Sequence, residues 1–248
     1  MSGRNAVRRQ AEFAQLFFAD AIAHASLTGI ALGLLLHVQP LLAAMVFSVL
    51  IALAIAGISR KKSASMDTVI GVFYSTAMAL GVIVIGALRG YRVDLFGYLF
   101  GDILGVSMQD VWLITILACV TLVVVAICYR SWIQIAFHQD LATVSGVRVT
   151  IQENIFLVFL ALAVALGMKL VGVVLIGPLM IIPAATAKNL VGSMRALLPT
   201  AVLFGVGSAI AGLLLSYTWN TPSGPTIVLV AAVCYFLSSI GKPDTVRI

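Results

Sequence analysis

The chain has 248 residues, of which 62% are hydrophobic and only 10% are Asp, Glu, Lys or Arg. An ordinary soluble domain has about 45–50% apolar residues and about 25% charged residues. Because so few charges cannot coat a water-exposed surface of this length, the composition excludes an ordinary soluble fold. The formal net charge is +6, and in a membrane protein its distribution over the loops is more informative than its sum. We therefore attribute the excess of basic residues to membrane topology and predict no nucleic-acid partner.

Eight stretches are apolar enough to cross a bilayer as helices, which requires about 20 residues each. The predicted spans are residues 16–36, 41–58, 68–88, 111–129, 155–168, 170–187, 196–217 and 226–240. The fifth is short and the sixth contains two prolines, so these two also fit one broken hairpin. The pattern predicts an all-α integral membrane protein that forms one transmembrane domain over residues 1–248, with a short tail at 1–15.

Basic residues lie mostly on one side of this predicted topology. With the tail placed in the cytoplasm, twelve of them fall inside: Arg4, Arg8, Arg9, Arg60, Lys61, Lys62, Arg130, Arg148, Lys188, Arg195, Lys242 and Arg247. Three fall outside: Arg89, Arg92 and Lys169. Because cytoplasmic loops carry the excess of Lys and Arg, this distribution predicts that both termini face the cytoplasm.

Two ionisable residues lie four positions apart inside the first predicted span. On a helix, Asp20 and His24 share one face about one turn apart. An ionised Asp in a bilayer costs about 2.5–3.5 kcal/mol on insertion scales unless it is paired or faces water. A carboxylate and an imidazole both suit zinc and other transition metals, and an incomplete ligand shell suits an ion that must leave again. The structural alternative is that Asp20 caps the helix and His24 is a hydrogen-bonded interface residue.

The segment 130–153 is the longest polar interruption on the predicted cytoplasmic side. It is too long for a hairpin turn. Two structures fit it: a short surface helix that docks a soluble partner, or a plain connecting loop. Pro178 and Pro183 predict a kinked sixth helix, a feature of transporter substrate paths and also of purely structural helices. His37 and His138 lie outside the spans and are predicted to be solvated, although His37 is also placed to touch an entering ion.

Motifs for ATP binding, proteolysis and hydrolysis are absent from the sequence. The one Gly-Lys pair, Gly241 and Lys242, lacks the other residues of a P-loop, and neither H-E-x-x-H nor G-x-S-x-G occurs. The three cysteines form no C-x-x-C pair, so a thiolate zinc site is not predicted. The chain is therefore predicted not to be an enzyme, and any ATP that drives it binds to another subunit.

Five segments carry a resemblance to a known family. In chain order they are ADAIAHASLTGIALGLLLHVQP from Ala19, YRVDLFGYLFGDIL from Tyr91, QDLATVSGV from Gln139, MKLVGVVLIGPLMIIPAATAK from Met168 and TPSGPTIVLVAA from Thr221. Together they resemble the membrane permeases of bacterial metal-ion ABC importers, and among these the high-affinity zinc-uptake permeases. The resemblance extends over residues 17–248.

The resemblance implies a homodimeric, all-helical permease among the lipids of the bacterial inner membrane. Such a permease receives a divalent metal from an extracytoplasmic binding protein and is driven by a cytoplasmic ATP-binding subunit. It implies that Asp20 and His24 are transient metal ligands and that no cofactor is permanently bound. The RVDLFGYLFGD stretch is similar to the zinc branch, so zinc is the expected cargo.

The same resemblance implies a coupling loop at 130–153. It assigns docking on the ATPase to Asp140, Leu141, Ala142 and Gly146. Family members have a further span before the helix with the Asp-His pair, whereas about 15 residues precede it here, so the expected fold lacks the family's first helix. The alternatives are a manganese or iron permease of the same family, a truncated membrane subunit that does not transport, and a small intramembrane metalloenzyme.

Overall fold

The computed structural model describes residues 2–60, 65–87, 95–101, 106–137 and 139–240. Within these ranges all regular structure is helical. The helices are α1 Ser2–Leu35, α2 Pro40–Ser59, α3 Met66–Ala87, α4 Leu95–Phe100, α5 Met108–Phe137, α6 Gln139–Val144, α7 Val149–Val171, α8 Val173–Leu190, α9 Met194–Trp219 and α10 Ser223–Ile240. Eight of them are long and apolar enough to cross a membrane. The predicted all-α membrane fold with eight spans is therefore confirmed.

Two helices extend well beyond the spans predicted from hydropathy. α5 continues to Phe137 and α7 begins at Val149, so the predicted loop at 130–153 is reduced to the short α6 and the turn at 145–148. Hydropathy marks the edge of the hydrocarbon core, and a helix continues past that edge wherever its sequence permits. In the same way, residues 2–15 of the predicted tail continue α1.

α7 and α8 are separate helices joined through Gly172, which has a φ of 92°. This confirms two spans rather than one broken hairpin. A Cβ at Gly172 would meet the Leu99 carbonyl, and a Cβ at Gly101 would meet the Leu170 carbonyl. Glycine is therefore required at both positions, because positive φ and close backbone contact each exclude a side chain.

The chain divides into two compact units, which are Met1–Tyr91 with Val106–Leu166 and Arg92–Gly105 with Gly167–Ile248. In the first unit, α1 packs against both α2 and α3. In the second unit, α8, α9 and α10 pack against one another, and α4 packs against α8. About 67% of the residues in the most apolar stretch of α1 are buried, against 6% of those in the corresponding stretch of α5. α1 is therefore the core helix of the first unit. The single transmembrane domain over residues 1–248 stays a prediction.

Serine side chains cap the starts of several helices. At α5, the Asp110 carboxylate accepts a hydrogen bond from the Ser107 backbone N–H at 2.8 Å, and the Ser107 hydroxyl accepts one from the Asp110 N–H at 3.3 Å. This reciprocal pair is a capping box, which satisfies two backbone donors at the helix start. Ser65 caps α3 by accepting from the Thr68 N–H at 3.2 Å. Polar residues at these ends therefore fix where the helices begin.

α1 and α2 approach each other closely at small residues. A Cβ added to Gly29 would lie only 2.7 Å from the Ala44 Cα. The Ser26 and Ser48 hydroxyls are hydrogen-bonded at 2.6 Å across the same pair of helices. Small residues allow such close backbone packing in membranes, and polar groups between helices add directional contacts. The two helices thus form a tightly packed pair.

We expect Gly29→Ala to lower the melting temperature of the detergent-solubilised protein, because the added methyl group forces α1 and α2 apart. Overpacking of this kind costs about 1–3 kcal/mol. Gly57→Ala in α2 is the matched control, since a Cβ there would meet no atom within 4 Å apart from its chain neighbours and the backbone of its own helix. Its melting temperature is expected to stay unchanged or rise, because alanine has the higher helix propensity. Equal losses in both variants would contradict the close packing at Gly29.

Candidate metal site

Asp20 and His24 lie in the apolar part of α1, Phe17–Leu35. Of residues 18–26, these two alone are partly exposed, and the other seven are buried. Because α1 begins at Ser2, Asp20 is inside the helix and is not its N-cap, so the helix-cap interpretation of Asp20 was wrong, whereas the interpretation of His24 as an interface residue stays open. The pair therefore presents polar, accessible groups on an otherwise buried turn.

Tyr74 of α3 packs directly against His24. The ring centroids are 4.8 Å apart and the ring planes cross at 79°, an edge-to-face geometry that aromatic pairs favour. The contact restricts the orientation of the imidazole ring. Sequence reasoning missed Tyr74, although a tyrosine in the middle of an apolar span, away from the interface where tyrosines are enriched, was an available signal.

Thr28, one turn beyond His24, links α1 to α3 by a hydrogen bond. Its hydroxyl lies 2.6 Å from the Ala77 carbonyl oxygen of α3 and 3.1 Å from the His24 carbonyl oxygen. Gly81 makes room for this contact, since a Cβ there would lie 2.8 Å from the Thr28 Oγ1. Asp20, His24 and Thr28 are spaced by four residues and so share one face of α1. The helix packing therefore holds this face in a fixed position against α3.

The pair alone gives an incomplete metal shell. In the part of the chain that the structure describes, no group of three or more His, Cys, Asp or Glu side chains is arranged to hold a metal ion. Structural zinc sites use four protein ligands, and sites with fewer leave positions for water or another ligand. Asp20 and His24 can thus supply one oxygen and one nitrogen ligand to an ion that exchanges readily.

His37 lies far from this pair. It ends α1 in the left-handed conformation, with a φ of 55°, and the Val38 N–H donates to the Gly33 carbonyl at 3.0 Å to close the helix end. Its side chain is exposed, as predicted, and helical geometry places it about 20 Å along the axis from His24. His138, the other predicted surface histidine, lies outside the described residues.

α6 ends in a tight, well-defined turn. Gly146 has a φ of 84°, the Val147 N–H donates to the Ala142 carbonyl at 3.0 Å, and the Gly146 N–H donates to the Thr143 carbonyl at 3.1 Å. These two bonds form a Schellman motif, in which glycine occupies the left-handed position after the helix. The chain therefore passes from α6 to α7 through only the four residues 145–148.

The four predicted coupling residues differ in their surroundings. Leu141 is 62% exposed and its neighbour Val144 is 87% exposed, whereas Ala142 is buried. Asp140 lies in α6, and its side chain is outside the described part. Apolar side chains grouped on a surface are typical of a binding surface for another molecule. Leu141 thus offers contact area, while Ala142 and Gly146 shape the turn.

The profile of the ABC 3 transport family matches residues 9–242. The chain belongs to this family. It is 34% identical over 222 residues to the high-affinity zinc uptake system membrane protein ZnuB of Haemophilus influenzae, a match that covers 90% of this chain and 85% of that protein. It is 33% identical over 224 residues to the manganese transport system membrane protein MntC of Halalkalibacterium halodurans, which covers 90% and 77%.

A solved structure agrees with these relatives. The chain matches a chain of PsaBC from Streptococcus pneumoniae in complex with Fab with a TM-score of 0.81 and 32% sequence identity, over 92% of this chain and 82% of that one. The predicted resemblance to metal-ion ABC permeases is therefore confirmed, and this ABC 3 family member is a multi-pass membrane component of a transporter. Zinc and manganese proteins match at similar identity, so family membership alone does not select the metal.

Proposed function

We propose that this chain is the permease subunit of an ABC importer that carries zinc into the bacterial cytoplasm. The observation that carries the proposal is the Asp20–His24 pair, the accessible polar groups of the most buried span in a metal-ion permease. A metal entering from the outside binds there transiently through one oxygen and one nitrogen. It passes inward when the helices switch between outward-open and inward-open arrangements.

The incomplete ligand shell supports transport over storage. A resident zinc ion needs a closed set of four ligands, and its slow release would block turnover. With two protein ligands, the remaining positions are filled by water or by groups from a second copy of the chain, and the ion leaves readily. The imidazole nitrogen of His24 favours zinc, because nitrogen ligands suit zinc whereas manganese prefers oxygen.

Three partners belong to this proposal. A cytoplasmic ATP-binding subunit supplies the energy, since the sequence has no P-loop. It docks on the coupling residues Asp140, Leu141, Ala142 and Gly146. An extracytoplasmic metal-binding protein delivers zinc to the outer face, and a second copy of this permease completes a homodimer in the inner membrane.

The basic residues support one orientation of the proposed permease. Twelve of the fifteen Lys and Arg residues fall on one side of an eight-span topology, and that side is cytoplasmic by the positive-inside rule. Both termini, the α2–α3 connection and α6 then face the cytoplasm. α6 is accordingly available to a cytoplasmic ATPase.

A manganese permease is the second candidate, because a manganese transport system membrane protein and a manganese import system permease protein match at 33% and 36% identity. The carboxylate of Asp20 suits manganese as well as zinc. The two candidates differ in the cargo and share every other feature of the mechanism. A transport measurement with both metals therefore distinguishes them.

The test is uptake of radioactive zinc and radioactive manganese into proteoliposomes that contain this permease with its ATP-binding subunit and binding protein. We expect ATP-dependent zinc uptake that excess unlabelled manganese does not suppress. The control is an ATP-binding subunit with its P-loop lysine replaced, which leaves the metal outside. Uptake of manganese alone would select the second candidate, and uptake of neither metal would contradict a working permease.

A further inference from the structure

Arg60 joins the end of α2 to the first turns of α7. Its Nη2 lies 2.6 Å from the Asn154 Oδ1, 3.3 Å from the Thr150 carbonyl oxygen and 3.7 Å from a Glu153 carboxylate oxygen. We call Arg60, Thr150, Glu153 and Asn154 the Arg60 clamp. Arg60 and Glu153 are both partly exposed, so their ion pair adds little stability. The planar guanidinium instead fixes the orientation of Arg60 toward its acceptors on α7, because its N–H groups point in set directions.

The clamp binds α7 immediately after the α6 turn. The Schellman motif at Gly146 closes α6, and α7 begins three residues later at Val149. From α5, the Trp132 Nε1 donates to the Gln152 carbonyl of the same turns at 3.2 Å, and the Trp132 ring packs edge-to-face on Phe156. A displacement of α6 therefore moves the first turns of α7, which are held by α2 and α5.

The other end of the clamp leads to the candidate metal site. Arg60 is the C-cap residue of α2, and α2 is closely packed on α1 at Gly29 and through the Ser26–Ser48 hydrogen bond. α1 carries Asp20 and His24 on the next turns. The turn at 145–148 thus joins α6 to α7, and side-chain or packing contacts continue from α7 through the clamp and α2 to α1, all within the first unit.

We propose that the Arg60 clamp transmits the movement of α6 to α1, so that Arg60 is a positioning residue that couples ATP hydrolysis to movement of the metal. The inference rests on the proposed transport function and adds the route of communication inside the permease. A clamp at a partly exposed helix junction can break and re-form without disturbing the core, as a two-state coupling element requires. Arg60 acts through its partners and does not contact the metal.

The test is the amount of metal moved per ATP hydrolysed by the reconstituted complex, with whichever metal the wild type transports. We expect Arg60→Ala to keep basal ATP hydrolysis and to lower this ratio about fivefold or more, the scale of typical coupling energies. Arg60→Lys is expected to recover part of the ratio, because an ammonium keeps the charge and the N–H donors but lacks the planar geometry and the length of the Arg60 side chain. Arg130→Ala removes an exposed arginine of α5 and is expected to leave the ratio unchanged.

A double-mutant cycle separates coupling from simple structural support. Asn154→Ala is expected to lower the ratio, and Arg60→Ala with Asn154→Ala is expected to be no worse than Arg60→Ala alone, since one contact is lost in both. If Arg60→Ala does not assemble, then Arg60→Lys and Asn154→Ala decide the result. An assembled clamp variant with the wild-type ratio would overturn the inference alone. A wild-type complex that moves no metal would overturn the proposed function and this inference together.

Discussion

Asp20→Ala and His24→Ala are each expected to reduce metal uptake by about 10- to 100-fold, while the permease still inserts and assembles. Loss of a metal ligand costs at least as much as loss of a group that orients one, for which this range is typical. Assembly is expected to survive, because α1 packs through other residues, namely Ser26, Thr28 and Gly29. Both side chains are half-buried, so their removal leaves no large closed cavity in the core.

The measurement is ATP-dependent metal uptake, made beside co-purification of the ATP-binding subunit and basal ATP hydrolysis. Asp20→Asn removes the charge at nearly constant volume and is expected to behave like Asp20→Ala. His37→Ala is the matched control, since it removes an exposed histidine about 20 Å away, just beyond the end of the same helix. Wild-type uptake in both alanine variants would show that the pair is not on the metal path.

The membrane spans could be predicted from the sequence because the thickness of the bilayer determines their length and composition. About 20 apolar residues in a row have no other common environment, and all eight predicted spans correspond to helices. The boundaries were less accurate where a helix leaves the hydrocarbon. Arg130 was taken as the start of a loop, whereas α5 continues to Phe137, because a charged residue ends a membrane span without ending a helix.

The sequence predicted the candidate site only for residues that lie on one helix. The spacing of Asp20 and His24 determines their shared face, and Thr28 would have followed from the same spacing of four. Tyr74 and Arg60 were not identified as partners, because their contacts depend on how α3 and α7 pack. Pairwise helix packing depends on side-chain fit between distant segments, which periodicity along one segment does not encode.

Leu141→Asp is expected to prevent stable binding of the ATP-binding subunit and thereby to abolish ATP-driven uptake. Leu141 is largely exposed in the isolated chain, so the substitution costs little folding stability. In a docked complex the same position would bury an unpaired carboxylate against the partner. Loss of a central interface residue typically costs about 2 kcal/mol or more, which weakens binding by about 30-fold.

Ser65→Asp is the matched control for this charge. Ser65 is exposed on the same predicted side of the membrane and caps α3 by accepting from the Thr68 N–H, a role that an aspartate also fills. We therefore expect Ser65→Asp and the apolar Leu141→Met to co-purify with the ATP-binding subunit as the wild type does. If Leu141→Asp co-purifies equally well, α6 does not carry the docking surface, and the Arg60 clamp would then receive its movement from another cytoplasmic segment.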